Sequence, residues 1–186
     1  MPCTEESRAR PAKSRFLKKF GSLLAILTQW EKWPQQVLEL CWDAERVDPR
    51  PDALSQEWFL GGRDYKRIPA PLDLHAGAGE AFAYIYPKPA KNGAVRVGVV
   101  NRALKMGFAV DYSAKQFPRC GCWQHWGKHE YVAALEPMNG GVEGRDKDRA
   151  RGWLDTLKAG AKKRYDYAME VVTGEEGVEN LIALNG

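Results

Sequence analysis

Glu80-Ala81-Phe82-Ala83-Tyr84-Ile85-Tyr86, stopped by Pro87 and Pro89, then Asn92-Gly93, then Val95-Arg96-Val97-Gly98-Val99-Val100-Asn101: this stretch decides the fold class. Both apolar runs have strand length and are rich in β-branched and aromatic residues. Proline lacks the N–H that a central ladder position requires, so Pro87 and Pro89 end the first run. Asn92-Gly93 predicts a hairpin turn, because both residues tolerate positive φ, and residues 95–101 then read as the return strand. Downstream the same style continues. Met106–Tyr112, Cys120–Trp126, Tyr131–Glu136 and Arg164–Val172 are further short runs punctuated by Gly, Pro and Asn. Consecutive strands with tight turns and no helical pattern between them imply antiparallel sheets, not α/β units. The expected class is mainly β, an antiparallel β-sandwich, and no internal repeat is visible.

Upstream the pattern differs. Residues 1 to about 13 are polar and contain proline. From Ser14, a plausible N-cap, Phe16, Leu17, Phe20, Leu23, Leu24, Leu27 and Trp30 recur at helical spacing. Pro34 interrupts that pattern. A second short helix is expected from Pro34 to Glu45, with Val37, Leu38, Cys41 and Trp42 on one face, and Val47–Asp52 breaks it. The expected organisation is therefore a basic helical extension over residues 1–50 and a β-sandwich domain over 51–186.

Composition narrows the function classes. The chain has 186 residues, 44% hydrophobic, with seven Trp and a formal net charge of +4. That suffices for one domain with a real core. The mild charge, dispersed in small blocks such as Lys162-Lys163-Arg164, argues against nucleic acid as a partner. No apolar run approaches the roughly 18 residues of a membrane span. The short run Leu23–Leu27 is followed by Thr28-Gln29-Trp30-Glu31-Lys32, not by a small-residue cleavage site, so a secretory signal is not indicated. Four cysteines without convincing pairing suit reduced thiols and a cytoplasmic setting.

The most specific segment is Phe117-Pro118-Arg119-Cys120-Gly121-Cys122-Trp123-Gln124-His125-Trp126-Gly127-Lys128-His129-Glu130-Tyr131-Val132-Ala133-Ala134-Leu135-Glu136-Pro137-Met138-Asn139, running on to Gly144-Arg145. Together with Asn101–Phe108, Arg149–Gly152 and the Tyr-x-Tyr strand that closes at Gly174, it resembles the C-terminal portion of a bacterial aldose 1-epimerase-like family with the galactose-mutarotase fold. The resemblance covers about two thirds of the chain. It implies a β-supersandwich with a sugar cleft on one sheet. It also implies an aldose or sugar derivative as ligand, and no cofactor. In mutarotases of this superfamily a late glutamate takes the proton of the anomeric hydroxyl and a histidine protonates the ring oxygen. Glu136, at a strand end before Pro137, matches the base.

The histidines of that chemistry lie upstream in the family, whereas the three of this chain are His75, His125 and His129. The sequence thus reads as a truncated or divergent copy, which would leave sheet edges exposed and invite homo-oligomerisation. His125 becomes the candidate acid. Trp123 is placed to stack on a pyranose, and Asn139 and Arg145 to hold hydroxyls, with Arg145 equally able to brace the loop through Glu143 or Asp148. Two further readings accompany this one. A non-catalytic sugar-binding or regulatory module would keep the cleft and lack the acid. A zinc module would use Cys120, Cys122, His125 and His129. Its spacing departs from the usual separation of a Cys pair and a His pair by a longer loop, so no metal is expected. His75 reads as a loop residue, and Gly77 and Gly79 lack the strand-to-helix context of a nucleotide motif.

Overall fold

The structure is a computed structural model that describes residues 38–69, 79–127 and 130–185. The helix expected from Ser14, His75 with its neighbouring glycines, and His129 lie outside the described residues. The strands are β1 (Leu38–Cys41), β2 (Ala44–Pro49), β3 (Ala81–Pro87), β4 (Ala94–Asn101), β5 (Met106–Ser113), β6 (Arg119–Gly127), β7 (Glu130–Met138) and β8 (Tyr167–Thr173). The described residues also form three short helices, α1 (Ala53–Leu60), α2 (Arg145–Ala150) and α3 (Glu175–Ile182), and a 3₁₀ turn at Ala183–Asn185. Two antiparallel four-stranded sheets result, in the orders β1-β4-β5-β8 and β2-β3-β6-β7.

Strand alternation sorts the side chains onto faces. In the first sheet Leu40, Val97 and Val110 share one face, and in the second Ile85, Cys120, Cys122 and Gln124 do; all are buried. These are the inner faces of the sandwich. Gln124 is the polar centre of this core. Its side-chain oxygen accepts from the indole N–H groups of Trp58 (2.6 Å) and Trp126 (3.2 Å), and its amide nitrogen donates to the Tyr65 carbonyl (2.9 Å). Satisfied in this way, a fully buried amide ties α1 and the 61–65 loop to β6 instead of destabilising the core.

The mainly β expectation agrees with this architecture, and the five predicted downstream runs correspond to β4 through β8. Two local expectations are corrected. Asn92-Gly93 does not close a hairpin between β3 and β4, because those strands belong to different sheets. β3 runs on through Pro87, which pairs with Ala44, and the chain leaves the second sheet only after the Lys88 N–H donates to the Asp43 carbonyl; the turn then delivers it to the first sheet, where β4 pairs with β5. Gly93 alone takes the left-handed conformation there (φ 81°), with its N–H donating to the Ala90 carbonyl. The predicted helix from Pro34 to Glu45 is replaced, within the described residues, by β1 and the start of β2. Leu38 and Leu40 alternate with Glu39 and Cys41, and pairing of β1 with β4 realises this period of two over the helical spacing of Leu38, Cys41 and Trp42. Helix α1 was not foreseen, although its signal is present: Asp52 is a side-chain N-cap, accepting from the Ser55 N–H at 2.9 Å.

Candidate functional site

The two outer faces are built differently. On the first sheet, Val178 and Leu181 of α3 pack onto Cys41, Val100, Ala109 and Val172. Gly98 makes this approach possible, since a Cβ there would lie 2.8 Å from the Leu181 Cδ2 and 2.6 Å from the Phe108 carbonyl oxygen. That face is closed. On the second sheet the register lines up Asp48, Tyr84, Gly121 and Glu136 as one row across all four strands. Phe82, Trp123 and Ala134 form the adjacent row, and His125 with Val132 the next. Gly121 leaves a gap in the first row, which the Phe82 ring and the Met138 methyl fill, 2.7 to 3.0 Å from where its Cβ would stand. Glu136 therefore lies beside an apolar, aromatic floor.

Glu136 is solvent-exposed on this face, yet the sheet crowding one side of its carboxyl raises its pKa above the usual value. Among the described residues no cation pairs with it to offset that effect. Strand β7 runs on through Pro137 to Met138, so Glu136 is within the strand and not at its end. An edge strand tolerates proline, and β7 is the edge of its sheet.

A cavity of about 560 Å³ opens at the β2 side of the same face, lined by Arg46, Asp48, Tyr84, Tyr86, Arg151 and Trp153 among others. Its far wall is the segment after β7. Tyr84 is the anchor of that segment: its hydroxyl accepts from the Val142 N–H (3.1 Å), and its ring meets Trp153 edge-on at 5.1 Å. Arg151 pairs with Glu143 and lies over the Trp153 ring at 5.0 Å; Lys147 also reaches Glu143, at 2.9 Å. Hydrogen bonds from Arg151 and Lys147 hold the Glu143 carboxyl below its usual pKa against a desolvation that works the other way. The Arg119 guanidinium also lies over the Trp153 ring, at 4.0 Å, and donates to the Asn139 carbonyl at 2.9 Å.

The sequence-predicted residues are distributed as follows. Glu136, Trp123 and His125 share the outer face of the second sheet. Trp123 donates its indole N–H to Glu80 at 2.7 Å. His125 is buried, and its Nδ1 accepts from the Gly127 N–H at 3.3 Å. Four residues separate it along β6 from Gly121, the partner of Glu136, which amounts to about 13 Å of strand. The row holding Trp123 lies between. Asn139 donates to the Tyr165 hydroxyl at 2.5 Å and to Asp155 at 3.3 Å. Arg145 is exposed in the first turn of α2, and Lys147 and Arg151 make the contacts to Glu143 that sequence reasoning offered to it. Arg46, Tyr84, Tyr86, Arg151 and Trp153 were missed. The alternation of Tyr84 and Tyr86 along one predicted strand was the available signal.

The zinc grouping does not assemble from its described members. Cys120 and Cys122 point into the sandwich and His125 to the outer face, as alternation demands for an odd offset. Burial pushes the Cys120 thiol up to about 12 and raises that of Cys122 as well, so both are protonated.

Comparisons with known proteins bear on the fold. A family model described as "Domain of unknown function (DUF4432)" matches residues 36–171. A crystal structure of a candidate aldose 1-epimerase from Klebsiella pneumoniae subsp. pneumoniae MGH 78578 superposes with a TM-score of 0.68 at 17% sequence identity. The match covers 78% of this chain and 37% of the Klebsiella chain, so this chain spans just over a third of that protein's length. No curated protein matches significantly. The fold is thus an aldose 1-epimerase-like β-sandwich. Among the described residues no helix is long and apolar enough to cross a membrane.

Proposed function

The chain belongs to the DUF4432 family, and from its fold and the open face of its second sheet we propose that it is a carbohydrate-binding, aldose 1-epimerase-like protein with Glu136 as general base. The observation that carries this reading is Glu136 itself: an exposed carboxylate of raised pKa with no cation paired to it among the described residues, beside the Phe82 and Met138 side chains that close over Gly121. A raised pKa makes a carboxylate a stronger proton acceptor. The Trp123 ring, half-buried on this face, suits the apolar C–H face of a pyranose, and ionisable groups around the rim suit its hydroxyls.

In this reading the Glu136 carboxylate takes the proton of the anomeric hydroxyl. The C1–O5 bond breaks as the C1 carbonyl forms, and O5 receives a proton from an acid. Rotation about C1–C2 and reclosure return the other anomer, with both protons restored. His125 is the candidate acid from this chain, across the intervening Trp123 row.

One observation favours a second reading, in which the face binds sugar without turning it over. The roughly 13 Å of strand between the Glu136 row and His125 exceeds what one pyranose spans between base and acid. Anomer exchange followed by NMR on an aldose panel tests both readings. Acceleration above the buffer blank, lost in Glu136→Gln, is the expected result for the epimerase. Saturable sugar binding without acceleration would establish the binding module, and neither binding nor acceleration in folded protein would dismiss the sugar-site assignment.

A further inference from the structure

Strand β8 is the edge of the first sheet, and it bonds to β5 on one side only. Among the described residues no backbone hydrogen bond reaches its other side. The inner face of this sheet, buried at Leu40, Val97 and Val110, continues onto β8 as Val171, Met169 and Tyr167. There it runs out into solvent: these three side chains are 53%, 56% and 59% exposed. Natural edge strands are normally protected by proline, lysine, a bulge or shortness. β8 has seven residues, no proline or lysine, and an uninterrupted register against β5. An unprotected apolar edge of this kind is a template for another strand.

We propose that β8 pairs antiparallel with β8 of a second copy of this chain, across a two-fold axis at Met169, so that two first sheets form one continuous eight-stranded sheet. Charge and apolar pairing together select the register: an axis at Val171 opposes no like charges within β8 but sets Met169 against Thr173. An axis at Glu170 would set that carboxylate against its own copy, and an axis at Ala168 would set Glu170 against Asp166. With the axis at Met169, Glu170 faces Ala168 of the second copy, Asp166 faces Val172, and no like charges are opposed. Met169 then meets Met169, and Tyr167 meets Val171 in an aromatic–β-branched pair on each side of the axis. A two-fold interface requires such self-complementarity. The partner is a second copy because in this register the exposed apolar side chains of β8 meet apolar side chains of β8 and no carboxylates are opposed.

The test uses the full chain. Sedimentation equilibrium at micromolar concentration is expected to give a mass near twice the 20.9 kDa of the chain. Met169→Lys places two ammonium groups on the axis, and the expected result is a shift to monomer with an unchanged circular dichroism spectrum. In a Cys3→Ser background, Met169→Cys is expected to form an intermolecular disulfide on oxidation, because directly opposed Cα atoms lie about 4.5–5.5 Å apart. Ala168→Cys, offset from its own copy by two residues, is expected not to cross-link. A monomeric wild-type chain would overturn the proposal. So would a dimer that survives Met169→Lys, or equal cross-linking of the two cysteine variants.

Discussion

The outer faces of the two sheets obey the same alternation and come to opposite ends. The first is sealed by α3, whose Val178 and Leu181 lie in a wholly apolar cluster made accessible by Gly98. The second is left uncovered at Trp123 and Glu136 and is walled on its β2 side by a polar, arginine-rich segment. Burial of apolar area drives stability, whereas an exposed ionisable group beside aromatic rings contributes little to it and much to recognition. The difference assigns packing stability to one face and leaves the proposed sugar site on the other. A substitution on the first should therefore change unfolding and leave ligand behaviour alone, and the reverse should hold on the second.

The strongest way to break this division is Leu181→Ala. The side chain is 2% exposed and bears on Gly98 and Gly107, so its removal leaves a cavity between helix and sheet. The expected loss is about 2–5 kcal/mol of unfolding free energy, measured by urea titration. Any sugar binding should keep its affinity in the fraction that remains folded. An equal loss of affinity per folded molecule would mean that the faces are coupled through the core.

Glu143→Gln sharpens the comparison at the wall of the open face. The folded pKa of Glu143 is depressed by Arg151 and Lys147, so its contribution to stability is present above the unfolded value of about 4.3 and is lost as pH falls through the folded value. Lys147 is exposed, which keeps the contribution to about 1 kcal/mol. The variant should be less stable than wild type at pH 7 by that amount, and the difference should shrink as the pH falls through the folded pKa of Glu143. A difference that persists in acid would assign the effect to packing against Tyr84 and Trp153 instead of charge.

The same two faces mark where sequence reasoning succeeds. Alternating apolar runs give strands β3 to β8, because a half-buried strand must repeat every second residue. They do not say which strands share a sheet. Asn92-Gly93 promised a hairpin and instead carries the chain between sheets, since turn chemistry specifies a local bend and not its pairing partner. The failure at Leu38–Cys41 has the same origin: four residues fit either period, and β4, some sixty positions away, decides. For the site, the shared face of Trp123, His125 and Glu136 comes from registers that only the folded pair β6–β7 defines. The separation of His125 from Cys120 and Cys122 needed no structure, because an odd offset along a strand already assigns opposite faces. Arg151 and Trp153 were illegible because a loop brings them back over Tyr84 from beyond β7.

The smallest expected effect probes the open face directly. Raising the folded pKa of Glu136 above its unfolded value means that folding favours the protonated carboxyl. The associated penalty is absent in acid, grows as pH rises from the unfolded toward the folded pKa, and is fully present above it. Glu136→Gln carries no charge and escapes that penalty. At pH 7 it should unfold at slightly higher urea than wild type, by a few tenths of a kcal/mol given the exposure of the group, and at pH 3 the two should coincide. A variant that is less stable at pH 7 would mean that Glu136 makes a favourable charge interaction in the folded chain, and it would then be a structural group and a poor general base. A small gain in stability together with lost anomer exchange would instead identify a carboxylate kept at a cost to the fold for what it does to a ligand.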